Sequence, residues 1–295
     1  MLNDPLLAGV NRDAALVAVE PVSRSGQPDA MALFFRRDGA TVQTCEAFSP
    51  FLFLAREDLF LGPLRDAVVT VLQGTAPFRW KVAFPTWKAC QSAKAWMAKH
   101  TGLAAGDPAA PYFLINDPVQ QYLMQTGRTL FKGMHFDELR RMQVDIECYT
   151  TEGFDFCNAA REGDRIIAIA LGDQTGWKEV LSGAELDEQA LLERFVTTVR
   201  DRDPDVIEGH NIFNFDLPYL MARAARVGVR LALGRDGSVP IVRPSRFSAG
   251  ERILAYSRAD VFGRHIVDTY FLVQAYDVSH RSLDGYGLKD AARHF

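Results

Sequence analysis

The sequence predicts an α/β protein of two domains. A smaller α+β domain is expected over residues 1–133, and a larger α/β domain with a mixed central sheet and flanking helices over 134–295. Three observations carry this reading. The chain has 295 residues, more than one ordinary domain of roughly 100–200. Hydrophobic residues make up 48% and charged residues 24%, the balance of a globular chain that can bury a sizeable core. The sequence also changes character near Gly133, from short apolar segments broken by Pro, Gly and Asp to strand-like segments followed by helix-like ones.

In the first part, Ala14–Val19, Met31–Phe35, Phe51–Leu54 and Lys81–Phe84 have the length and composition of strands. Trp87, Cys90, Ala93 and Met97 recur at helical spacing and predict a helix over Thr86–Lys99. Thr101–Pro111 reads as a loop and Pro118–Thr126 as a second helix. In the second part, Arg141–Glu147 alternates like a strand and Arg165–Leu171 is a strongly apolar one. Glu185–Arg200 reads as an amphipathic helix, with Leu191, Leu192, Phe195, Val196 and Val199 on one face. A turn at Asp203–Asp205 leads to a short strand, Val206–Glu208. Asp216–Val227 is a helix with Pro218 tolerated in its first turn. A Gly-, Pro- and Ser-containing hairpin or loop follows, then a strand at His265–Asp268 and helices at Thr269–Tyr276 and Tyr286–Phe295.

No apolar run approaches the ~18 residues of a membrane helix, and Met1–Pro5 lacks the basic and apolar character of a secretory leader, so a cytoplasmic protein with no membrane partner is expected. Cys45, Cys90, Cys148 and Cys157 form no C-x-x-C pair and read as free thiols. Net charge is −4, which gives no global sign of nucleic acid, but the charge is uneven. Arg226–Arg264 holds eight arginines, no lysine and three acids, a net +5 against −9 in the remainder. Such a basic stretch is a candidate phosphate-contacting surface, with a solvated insertion as the plain alternative.

Three clusters carry possible chemistry. On a strand, Asp145 and Glu147 point to one face while Ile146 points to the other. Two adjacent carboxylates repel, and a hard divalent cation relieves that conflict. Alone, such a pair is most often a solvated face. The second cluster, Gly209–Asp216, gathers His210, Asn211, Asn214 and Asp216 at a strand-to-helix junction, where Asp216 is also a plausible N-cap. The third is Tyr286 and Asp290, four apart and on one face if the segment is helical. Tyr256 and Asp260 share that spacing, but the strand at His265 follows too closely to leave room for a helix.

In their order, D-x-E on a strand, N-x₃-F-D before a helix, then Y-x₃-D, these clusters resemble the Exo I, Exo II and Exo III motifs of the 3′–5′ exonuclease domain of family B DNA polymerases. That domain belongs to the DEDD group of ribonuclease H-like nucleases. Phe48–Leu54 also looks like the family's N-terminal-domain strand motif, and Asn116–Thr126 like the segment leading into Exo I. The resemblance implies that Asp145, Glu147, Asp216 and Asp290 are catalytic metal ligands for two Mg²⁺ ions, with Mn²⁺ substituting. It implies that Tyr286 orients the attacking water and that Asn211 lies near the 3′ end of the substrate. Phe154 is implied to pack against the terminal bases, although Asp155 stands where the family often has proline; Phe215 is expected among the substrate-binding residues, and from the basic stretch Arg243 and Arg246 are expected against phosphate. The histidine branch needs H-x₄-D; position 285 is glycine and no histidine has an Asp five residues on, so the tyrosine branch is expected.

The implied activity is proofreading-type removal of nucleoside 5′-monophosphates from single-stranded or frayed DNA 3′ ends, in replication and repair. The polymerase motifs D-x-x-S-L-Y-P-S and D-T-D are absent. A fragment or split form is therefore expected, with a polymerase domain as partner in cis or in trans. An RNA-trimming enzyme of the same fold and a non-catalytic DNA-binding or docking module are the alternatives.

Overall fold

The computed structural model describes residues 11–22 and 29–295, so Met1–Pro5 lies outside the described residues. The chain forms two units, Met1–Gly133 and Met134–Phe295. No helix among the described residues is long and apolar enough to cross a membrane.

In the first unit, β1 (Leu16–Val22), β2 (Ala30–Arg37) and β3 (Ala40–Ala47) form an antiparallel three-stranded sheet. The β2–β3 turn is Asp38-Gly39, both at positive φ (48° and 76°), the backbone that a two-residue hairpin loop requires. A second sheet has the order β5-β6-β4-β7, from β4 (Phe51–Leu54), β5 (Val68–Val71), β6 (Trp80–Ala83) and β7 (Tyr112–Phe113). Helix α1 (Trp87–Thr101) is capped by Thr86, whose hydroxyl accepts from the Ala89 amide, and buries Cys90, Ala93 and Met97. Helix α2 (Pro118–Thr126) starts at Asp117 with Pro118 in its first turn. It buries Gln121, whose side chain donates to the Phe51 carbonyl and accepts from the Phe51 amide. Strand β3 does not announce itself in the sequence, because most of its residues are exposed and leave no apolar alternation, whereas β5 is a β-branched Val-Val-Thr-Val run that an alternation test passes over.

The second unit is the expected α/β domain with a mixed sheet. Strands β8 (Arg141–Tyr149), β9 (Arg165–Asp173), β10 (Lys178–Ser182), β11 (Val206–Gly209) and β14 (His265–Asp268) lie in the order β10-β9-β8-β11-β14. The β10-β9-β8 half is antiparallel and the β8-β11-β14 half parallel. Helix α3 (Glu188–Arg202) begins three residues later than the periodicity predicts, because the Asp187 carboxylate accepts from the Ala190 amide and caps it there. Helix α4 (Asp216–Val227) follows β11. Val144, Ile146, Ile169, Phe195, Leu217 and Leu220 are among the buried residues of one core between sheet and helices. Between α4 and β14, the basic stretch forms a hairpin of two nine-residue strands, β12 (Ile241–Ala249) and β13 (Arg252–Asp260). Helix α5 (Thr269–His280) seats it: the Phe271 ring stacks on Phe247 at 4.5 Å and meets Tyr256 edge-on at 4.8 Å.

Candidate active site

Strand β8 runs between β9 and β11, with Val144 and Ile146 buried and Asp145 and Glu147 on the exposed face, as period-two alternation requires. Asp216 opens α4 and is 2% exposed. Its Oδ1 accepts a 3.2 Å hydrogen bond from the amide of Ile146, the residue between Asp145 and Glu147. The Asp216 carboxylate is thus tied to the backbone between Asp145 and Glu147.

The loop between β11 and α4 is shaped for this approach. A Cβ on Gly209 would lie 2.8 Å from the Val144 carbonyl oxygen, so only glycine lets the loop cross β8 so closely. Asn211 adopts the left-handed backbone (φ 65°), and its carbonyl accepts from the amides of Asn214 and Phe215. Buried Asp268, at the end of β14, accepts from the amides of Asn211 (2.8 Å), Phe213 (3.3 Å) and Tyr270 (2.9 Å). Sequence reasoning missed Asp268; its signal was an acid placed between a strand and a helix, where it can cap.

Burial, then the neighbouring Asp145 charge, pushes the Asp216 carboxyl up to about 7. Loss of water raises Asp145 too, Glu147 adding to the shift and His210 opposing it. Negative charge therefore accumulates around Asp145, whose neighbours include Glu147 and Asp216, the condition under which bound cations are favoured. Among the described residues, no three His, Cys, Asp or Glu side chains stand close enough together to hold a metal ion.

Tyr286 and Asp290 do not share a helix. Helix α6 (Leu288–His294) begins after an extended Gly287 N-cap, and glycines at 285 and 287 disfavour helix just where the motif would need it. The Tyr286 hydroxyl donates to Asp277 Oδ2 at 3.0 Å and lies 3.4 Å from Arg252 Nη1. Exposed Asp290 stands in the first turn of α6, with its Oδ2 2.6 Å from where a Gly285 Cβ would be.

Residues 172–290 match the family model described as DNA polymerase family B, exonuclease domain. The chain is similar to family B DNA polymerases. That match spans Asp216, Tyr286 and Asp290 and begins after Asp145 and Glu147. The DNA polymerase of Pyrococcus glycovorans is 33% identical over 163 residues, 52% of this chain and 19% of that protein. DNA polymerase 1 of Pyrococcus abyssi is 35% identical over 151 residues, 48% of this chain and 19% of that protein. The chain thus spans about a fifth of the length of these relatives. In fold it resembles the family B DNA polymerase of Pyrobaculum calidifontis, with TM-score 0.63 and 22% identity over 89% of this chain and 37% of that one.

The remaining expected contacts are scattered. Exposed Phe154 lies under the Arg161 guanidinium, 3.6 Å from its ring centroid. Phe215 opens onto a hollow of about 380 Å³ shared with Phe156, Cys157, Arg161, Asn214 and Tyr219. Phe156, 82% exposed beside this hollow, escaped the sequence reading because no motif marks it. Arg243 is ion-paired with Asp260, which also takes Arg258 at 2.8 Å. Arg246 is exposed three residues along β12, hence on the opposite face of the ribbon. Two arginines of the basic stretch are not surface residues. Arg235 and Arg264 are buried, and both reach Asp203, at 2.9 and 2.8 Å, Arg235 reaching Asp205 as well at 2.7 Å. Part of the charge of the basic stretch is therefore internal ion pairing rather than surface.

Proposed function

We propose that this chain is a divalent-metal-dependent 3′–5′ exodeoxyribonuclease of the proofreading type, releasing nucleoside 5′-monophosphates from single-stranded or frayed DNA 3′ ends. One observation carries the reading: buried Asp216 is hydrogen-bonded to the peptide between Asp145 and Glu147. A raised carboxyl with charged carboxylate neighbours suits a hard cation with oxygen preference. In this reading Asp145, Glu147, Asp216 and Asp290 hold two Mg²⁺ or Mn²⁺ ions, and the free side chains draw together on them. Bound there, such ions supply a nucleophilic hydroxide and stabilise the leaving 3′ oxygen. Tyr286 positions the attacking water, and Asn211 and Phe215 border the terminal nucleotide. Residues 1–133 are read as the family's N-terminal domain and 134–295 as its exonuclease domain, working with a polymerase domain in cis or in trans.

The test is incubation of a 3′-labelled single strand with Mg²⁺ or Mn²⁺. Release of mononucleotides, stopped by a chelator and absent in Asp145→Ala, is expected. A folded Asp145→Ala variant with wild-type cleavage would overturn the assignment. Matched RNA and DNA oligonucleotides separate this reading from RNA trimming, which predicts faster cleavage of RNA.

A further inference from the structure

We propose that His210 is a positioning residue that latches the Tyr286 segment to the end of β11 and so sets Exo III against Exo II. This rests on the exonuclease reading and adds to it a residue with no assigned role.

The imidazole is half-buried and bonded at both nitrogens. Nε2 lies 2.8 Å from the Tyr286 carbonyl oxygen, and Nδ1 lies 3.0 Å from Thr269 Oγ1. A carbonyl only accepts, so Nε2 carries a proton in this arrangement. Thr269 Oγ1 is also 3.2 Å from the Gly209 carbonyl, and its single proton serves either that carbonyl or Nδ1; the link back to β11 is made by His210 itself, which follows Gly209 in the chain. The His210 ring also meets Tyr270 edge-on at 5.6 Å, and Tyr270 meets Tyr286 edge-on at 6.4 Å. Three stretches of chain therefore converge on one side chain: the end of β11, the start of α5 and the segment before α6.

That convergence matters because residues 281–287 have no regular secondary structure. Their place is set by individual bonds. Asp277 takes the amides of Ser282 (2.7 Å) and Leu283 (3.1 Å) and the Tyr286 hydroxyl, which fastens the segment to α5 alone. The His210 bond instead fastens it to the strand that leads into Asp216. Without it, the tyrosine keeps its tie to α5 but loses its reference to the acids.

The experiment compares His210→Ala, His210→Gln and His210→Asn in the full chain, reading kcat and KM on a single-stranded DNA oligonucleotide with Mg²⁺, and amide hydrogen exchange over residues 281–287. A glutamine amide can reach the Tyr286 carbonyl; an asparagine amide stops near the Nδ1 position. His210→Ala is expected to lower kcat about 10²-fold, the size of effect that a misplacement near 1 Å produces, with KM little changed and faster exchange over 281–287. His210→Gln restores most of the rate and protection, and His210→Asn does not. Wild-type exchange in the alanine variant overturns the latch. If His210→Ala fails to fold, the Gln and Asn variants decide, and equal exchange and rate in those two overturn it. An inactive wild type refutes the exonuclease reading alone, since the exchange comparison still tests the latch.

Discussion

Replacing Asp216 by asparagine isolates the electrostatic cost of gathering the acids. Asparagine keeps the shape and an acceptor oxygen for the Ile146 amide, which Asp216 holds at 3.2 Å, but removes the charge. Burial and Asp145 raise this carboxyl from 3.8 to about 7. A folded-state value above the unfolded one means that the native protein binds the proton more tightly. Stability from this group is therefore greatest at low pH and is lost as pH rises from about 4 to about 7, by about 4 kcal/mol in full. Roughly two-thirds of that loss falls between pH 5 and pH 8. Chemical denaturation in chelator at several pH values provides the assay. The wild type is expected to lose stability across this window relative to Asp216→Asn, so that the variant is the more stable metal-free protein at pH 8. Adding Mg²⁺ at pH 8 should stabilise the wild type by mass action and leave the variant behind. Parallel profiles for the two proteins in chelator would refute the argument, because they would mean that the buried carboxylate carries no penalty.

Tyr286→Phe keeps the ring but removes the hydroxyl bonded to Asp277; the rate of DNA cleavage is expected to fall ~10²–10⁴-fold while metal affinity, measured by calorimetry, barely moves. Arg246→Ala should make the log–log salt dependence of single-strand binding shallower by about 0.7 if Arg246 meets one phosphate, and Arg243→Ala should change it less, since Asp260 already holds Arg243. Arg264→Met leaves Asp203 its Arg235 partner but strips the buried Leu233 and Pro204 carbonyls of a donor, and is expected to cost about 1–3 kcal/mol in denaturant unfolding, whereas a solvated arginine at that position would cost nothing measurable.

The parts of the site that depend on local geometry were legible in the sequence. Asp145 and Glu147 share a face because strands repeat every two residues, and Asp216 opens a helix whose Asp and Pro already mark its start. Helix α2 was equally plain, because Asp117 and Pro118 begin it and Gly127 ends it. What escaped depends on partners distant in the chain. Arg264 reads as a surface cation until Asp203, 61 residues earlier, is found beside it. Strand β3 exists through its register with β2 rather than through an apolar pattern of its own. A helix through Tyr286 is opposed locally by the glycines at 285 and 287, a signal in the sequence that prevails over the four-residue spacing of Tyr286 and Asp290.

The bond from Ile146 to Asp216 also bears on how errors propagate. Asp145 and Glu147 are separated by a single residue, and Asp216 docks on the amide of that residue. The anchoring of these acids is therefore inherited from peptide geometry in a central strand, while side-chain torsions are left to set their final approach to one another. A substitution elsewhere in the core can shift the sheet as a body and still carry the three carboxylates together. Tolerances on where their backbones stand are thus those of covalent structure and one polar contact, while the tolerance on Tyr286 is that of a chain of side-chain bonds running through His210 and Asp277.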